Sequence, residues 1–122
     1  MPVKVYERIL QLFEVEGIKT IFGIPDPNFV HMFVEAERRG WKVVTPHHEL
    51  AAGFMAEGYA RMKGTPALAI ATLGPGVANA AGAMMCAKVE NSPVVFIGGQ
   101  RARDRTARAA RAHSIRQTDP AV

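Results

Sequence analysis

Four short apolar runs alternating with stretches of helical spacing limit what this chain can fold into more than any other feature. The runs are Lys19 to Gly23, Trp41 to Val44, Ala67 to Ala71 and Pro93 to Gly98. The third is apolar at every position, as a strand is when helices cover both faces of its sheet. Helical spacing fills Lys4 to Glu16, Phe29 to Arg39, a segment opening at Glu49 and closing before the Lys63-Gly64-Thr65-Pro66 turn, and Gly74 to Val89. The alternation predicts an α/β fold: an open parallel sheet with right-handed crossovers and helices on both faces. Ligands of such sheets sit beyond the carboxyl ends of the strands. Four segments then share one edge: Pro25 to Asn28, His47 to Glu49, Thr72 to Gly76 and Gly98 to Arg101.

Each helix has its own pattern. In the first, Val5, Ile9, Leu12 and Phe13 form the apolar side against Lys4, Glu7, Arg8 and Gln11, and Gly17 supplies the stop. The second puts Phe29, Phe33 and Val34 inward and Glu35, Glu37, Arg38 and Arg39 outward, ending at Gly40. In the third, Leu50, Phe54 and Met55 recur at helical spacing. The fourth is rich in Ala and Gly all round, which predicts close packing on more than one side.

A length of 122 residues suits one domain, and 48% hydrophobic residues is ordinary for a globular chain. No apolar run approaches the roughly 18 residues that a membrane span needs. Lys4, Glu7, Arg8 and Gln11 interrupt the N-terminal apolar residues, so no signal peptide is recognised and a cytoplasmic location is expected. The single cysteine, Cys86, lies among Met84, Met85 and Ala87 and reads as a buried structural thiol. The net charge of +4 is concentrated at the end, in Arg101, Arg103, Arg105, Arg108, Arg111 and Arg116. We therefore divide the chain into a domain over residues 1–100 and an Arg-rich connector, or end of the same domain, over residues 101–122. The arginines lack the interleaved aromatics on which bases stack, so nucleic acid is disfavoured as a partner.

The chemistry-bearing candidate is Glu49. A carboxylate in a first helical turn has an ordinary explanation in the helix dipole. Its company argues for more: His47 and His48 precede it, and Ala51, Ala52 and Gly53 allow another surface to approach closely. The Gly74-Pro75-Gly76 turn nearly matches a dinucleotide fingerprint, but Asn79 stands in place of the third glycine and no acidic residue follows at the required distance. Adjacent histidines point apart and no further cluster completes a metal site, so none is assigned.

Taken together, the Gly-Ile-Pro loop after the first strand, His48-Glu49 opening a helix that runs Ala-Ala-Gly-Phe-Met-Ala-Glu-Gly-Tyr-Ala-Arg, then Gly74-Pro75-Gly76-Val77-Ala78-Asn79, Ser92-Pro93-Val94-Val95 and Gly98-Gly99 resemble a known domain. It is the N-terminal pyrimidine-binding domain of the thiamine diphosphate enzymes of the acetolactate synthase and 2-oxo acid decarboxylase group. The order and spacing of these motifs cover the chain to about Arg101. The resemblance implies the thiamine diphosphate-binding fold and a catalytic role for Glu49, which matches the glutamate that hydrogen-bonds N1' of the cofactor's aminopyrimidine and favours its imino tautomer. It implies cofactor contacts from Pro25, Asp26, Thr72, Gly74, Gly76 and Asn79, and makes Asn28, His113 and Gln117 candidates for facing the substrate. Where many relatives have Gly-Gly or Gly-Asp after the proline, this chain has Asp26-Pro27-Asn28. Burial against an aromatic ring is expected to raise the Glu49 pKa towards neutrality.

The resemblance further implies that Mg2+ and the diphosphate are held by a domain absent from this chain, normally one of a neighbouring subunit in a homodimer or homotetramer. The function expected is the pyrimidine-binding half of a lyase or carboligase acting on 2-oxo acids, as a fragment inactive alone. One alternative is a stand-alone small subunit of a two-chain decarboxylase. Another, of a different class, is a non-catalytic module whose basic tail grips a polyanion.

Overall fold

The structure, a computed structural model, describes residues 2–100. Its elements are α1 (Val5–Val15), β1 (Thr20–Gly23), α2 (Val30–Arg38), β2 (Lys42–Val44), α3 (Glu49–Lys63), β3 (Ala67–Ala71), α4 (Pro75–Val89) and β4 (Val94–Gly98). The connector assigned to residues 101–122, with His113 and Gln117, lies outside the described residues.

All three strand pairings are parallel and the sheet order is β2-β1-β3-β4. Neighbouring residues in a strand face opposite sides, and two cores result. Ile21, Leu68 and Ile70 meet Leu10, Met32, Phe33, Ala36 and Trp41 on the side of α1 and α2. Phe22, Ala67 and Ala69 meet Ala52, Ala56 and Ala60 of α3 on the other. β3 is buried at every residue, whereas β4, at the sheet edge, is only partly covered.

Several side chains lie elsewhere than periodicity placed them. In α1 the buried stripe runs through Tyr6, Ile9, Leu10 and Phe13. Val5 (76% exposed) and Leu12 lie about a quarter turn from its centre and face out. Val34 of α2 is 58% exposed, while Glu35 is buried. Glu35 is tolerated there because Arg38 and Arg39 each bond it at 2.7 Å, the former also through a second guanidinium nitrogen at 2.8 Å. That fork, chiefly the Arg38 bonds, holds its carboxyl down to about 2.

Phe54 and Met55 are similarly displaced to a half-exposed face of α3. The reason is the closeness of α4: a Cβ added to Gly53 would lie 2.4 Å from the Ala83 Cβ. Only small residues fit such an interface. The buried residues of α4 (Gly76, Ala80, Ala83 and Ala87) form one stripe, with Met85 and Val89 exposed. As expected, α4 packs on more than one side, against α3 and, through Val77, against Gly98 of β4, while among the described residues no element covers its outer side.

Candidate functional site

The order β2-β1-β3-β4 reverses direction between β1 and β3. At such a switch point the loops leaving the two strands diverge and open a crevice at the carboxyl edge. The loop after β1 carries Pro25, Asp26 and Asn28, and the turn after β3 carries Thr72 and Gly74. A hydrogen bond closes the gap between them: the Thr72 hydroxyl donates to Asp26 Oδ2. Asn28 Nδ2 donates to the same oxygen at 2.6 Å, and the Phe29 N–H reaches Asp26 Oδ1 at 3.1 Å. Burial pushes the Asp26 carboxyl up, but these donors, with the backbone of Asn28, outweigh it and hold it below the ordinary value. Asn28, a candidate for facing substrate, is thus engaged in bracing its own loop.

Glu49 arrives from β2. His48 is the N-cap of α3, in extended backbone, and its Nδ1 accepts the Leu50 N–H at 3.1 Å. That cap fixes where the helix begins and therefore where its first carboxylate stands. From α4, Asn79 Nδ2 donates to Glu49 Oε2 at 3.0 Å. Among the described residues, no other residue donates a hydrogen bond to this carboxylate.

Gly76 completes the group. A Cβ on it would lie 3.0 Å from Glu49 Oε1 and 2.7 Å from Thr72 Cγ2, so the missing side chain leaves Oε1 uncovered. Gly74 caps α4 at φ +46°, a left-handed value that favours glycine.

The Asn79 hydrogen bond, followed by the backbone N–H of Glu49 and the field of His48, holds the Glu49 carboxyl below its ordinary value, and partial burial does not outweigh them. Glu49 in this structure is a carboxylate at neutral pH, able to accept a proton or a hydrogen bond at Oε1.

Glu49, Gly76, Asn79, Thr72 and Asp26 thus form one contiguous group at the carboxyl edge. Pro25 and Gly74 belong to the loops that frame it, both solvent-exposed. Spacing alone had not shown a second feature, an open cleft of about 640 Å³ lined by Leu73, Gly74, Pro75, Val77 and Gly98 to Gln100. Its signal was present in Gly98 and Gly99, whose Cβ atoms would collide with Val77 at 2.8 Å and Leu73 at 3.0 Å. No Lys or Arg occurs in the four edge segments up to Gln100. Among the described residues no three His, Cys, Asp or Glu side chains converge as a metal site.

Comparison with known proteins agrees with this architecture. Residues 3–119 match the family model for the thiamine pyrophosphate enzyme N-terminal TPP-binding domain. The chain is 35% identical over 91 residues to the probable 2-ketoarginine decarboxylase of Pseudomonas aeruginosa, covering 75% of this chain and 16% of that protein. It is 32% identical over 93 residues to the acetolactate synthase of Bacillus subtilis, covering 76% of this chain and 16% of that one. The chain therefore spans about one sixth of the length of these relatives. Among solved structures, the thiamine diphosphate-dependent 4-hydroxybenzoylformate decarboxylase of Rhodococcus jostii RHA1 superposes with a TM-score of 0.77 at 28% identity, covering 88% of this chain and 20% of that one.

Proposed function

Because this chain belongs to the thiamine pyrophosphate enzyme family, as its N-terminal TPP-binding domain, we propose that it forms the pyrimidine-binding half of a thiamine diphosphate-dependent lyase or carboligase acting on a 2-oxo acid. The observation that carries this reading is Glu49, a carboxylate with Oε2 tied to Asn79 and Oε1 left open beside a glycine. Thiamine diphosphate, when bound, would supply a nucleophilic thiazolium carbon and, in the thiazolium ring, an electron sink for cleavage of the bond next to the substrate carbonyl. Glu49 Oε1 accepts the hydrogen bond of the aminopyrimidine ring nitrogen and holds a proton there as the charge on that ring changes. Asn79 keeps the carboxylate from rotating away. Gly74 and Gly76 let backbone come close to a flat ring, and the Asp26–Thr72 bond braces the opposite wall against which Pro25 stands.

Among the described residues, up to Gln100, the edge carries Asp26 and Glu49 and no Lys or Arg, a surface that repels a diphosphate. We assign Mg2+ and the diphosphate to a diphosphate-binding domain of a neighbouring subunit, so that the working assembly is a homodimer or homotetramer. The test is decarboxylation of a panel of 2-oxo acids by the holoenzyme and its Glu49→Gln variant. Removal of one positioned proton-transfer group lowers turnover by about 10²- to 10⁴-fold. Turnover unchanged across the panel would overturn the reading.

A further inference from the structure

The faces on which α3 and α4 meet carry mostly small residues. At Gly53 and Ala83 the helices approach almost to backbone contact, and Leu50 of α3 lies against Gly82 of α4, where a Cβ would stand 3.1 Å from its Cδ1. Axial sliding of packed helices is resisted by ridges of side chains seated in grooves. Alanine and glycine make shallow ridges, so apart from Leu50 the apolar contacts specify the position along the axis weakly. Polar contacts at the two ends add to them. One is Asn79 on Glu49 at the site. The others lie at the far end of the pair, about 12 Å away along α3 at about 1.5 Å of rise per residue, where the exposed Arg61 also reaches Glu90, the C-cap of α4, at 3.9 Å.

There Glu57, only 5% exposed, carries a carboxylate that the chemistry above does not use. Its Oε1 accepts the Ser92 hydroxyl at 3.1 Å and the Cys86 thiol at 3.7 Å, and Arg61 approaches it at 3.5 Å. Ser92 is itself anchored, its N–H donating to the Ala87 carbonyl at 2.8 Å just beyond the end of α4. The Cys86 thiol, raised chiefly by burial and then by Glu57, stays protonated and able to donate. Glu57 on α3 therefore grips two points fixed to α4. A buried carboxylate is retained only where such partners offset its desolvation.

We propose that Glu57 is a positioning residue for Glu49: its hydrogen bonds to Ser92 and Cys86 set the axial register of α3 on α4, and that register brings Asn79 to the Glu49 carboxylate. The inference rests on the role proposed above for Glu49. It is tested in the holoenzyme with Glu57→Leu, which nearly keeps the volume and removes the acceptor, and with Ser92→Ala, which removes one donor.

Displacement of a reacting group by a fraction of an ångström lowers kcat by about 10-fold in each variant, with the substrate KM within about 2-fold. Thiamine diphosphate affinity, measured by calorimetry, falls in both. In an Asn79→Ala background neither substitution lowers kcat by more than about 2-fold further, because the contact they position is already gone. Arg61→Ala, at a residue whose side chain is 57% exposed, leaves kcat within about 2-fold, as loss of a screened partner should. A lower melting temperature with unchanged kcat and cofactor affinity, or losses that simply add to those of Asn79→Ala, would overturn the proposal. Should Glu57→Leu fail to fold, Ser92→Ala decides by the same criteria. Normal turnover in Glu49→Gln would refute the role of Glu49 itself. A crippled Glu49→Gln beside normal Glu57→Leu and Ser92→Ala would refute only the positioning.

Discussion

Replacing Gly76 by alanine sets two effects against each other at the entrance of α4. Alanine is the better helix former, by at most about 1 kcal/mol. The new Cβ, however, would stand 2.7 Å from Thr72 Cγ2 and 3.0 Å from Glu49 Oε1. Neither neighbour can yield without loss, since Thr72 is held by Asp26 and Glu49 by Asn79. Overpacking of this kind costs about 1 to 3 kcal/mol, so the net destabilisation is about 0 to 3 kcal/mol. Activity should suffer more than stability. The methyl covers the one open oxygen of Glu49 and displaces its carboxylate, and a misplacement approaching 1 Å costs up to about 100-fold in rate. The assay is kcat and thiamine diphosphate affinity of the holoenzyme beside its melting curve. Both within about 2-fold of the parent would refute the reasoning, because an effect of that size is far below the displacement penalty.

Other perturbations follow from the same contacts. Thr72→Val removes the donor to Asp26 at nearly constant shape and should cost about 1 kcal/mol. It should also speed amide exchange at Phe29 and Val30, whose N–H groups both bond to Asp26. Glu35, with its carboxyl held down to about 2 from an ordinary 4.5, contributes stability that is complete above 4.5 and lost as the pH falls through about 2. Glu35→Gln should therefore be less stable than the parent at pH 7, with the gap closing below about pH 2, as followed by urea unfolding at several pH values.

What could be read from the sequence was whatever depends on neighbours along the chain. Ala67 to Ala71 matched β3 residue for residue, because a strand buried on both faces shows as an unbroken apolar run. Gly17, Gly40 and Gly64 stand at positive φ where helices were expected to stop. The carboxyl-edge grouping of Asp26, Glu49 and Thr72 followed from helix and strand alternation alone. What could not be read depends on partners distant in sequence. Glu35 was taken as an outward charge because nothing in its spacing reveals that two arginines would enclose it. Nor does spacing reveal that Asn79, contributed by a different helix, holds the Glu49 carboxyl down in this chain. Val5, Leu12 and Val34 show the same limit, since helical spacing marks an apolar stripe but not which part of it another element covers.

The role of Glu49 is tested most directly by the exchange of the C2 proton of bound thiamine diphosphate for deuterium, measured by quenched-flow NMR in the holoenzyme and its Glu49→Gln variant. A carboxylate that accepts the ring nitrogen's hydrogen bond should make the parent exchange about 10²- to 10⁴-fold faster than the variant, with both equally folded. Equal exchange rates in the two proteins would contradict it.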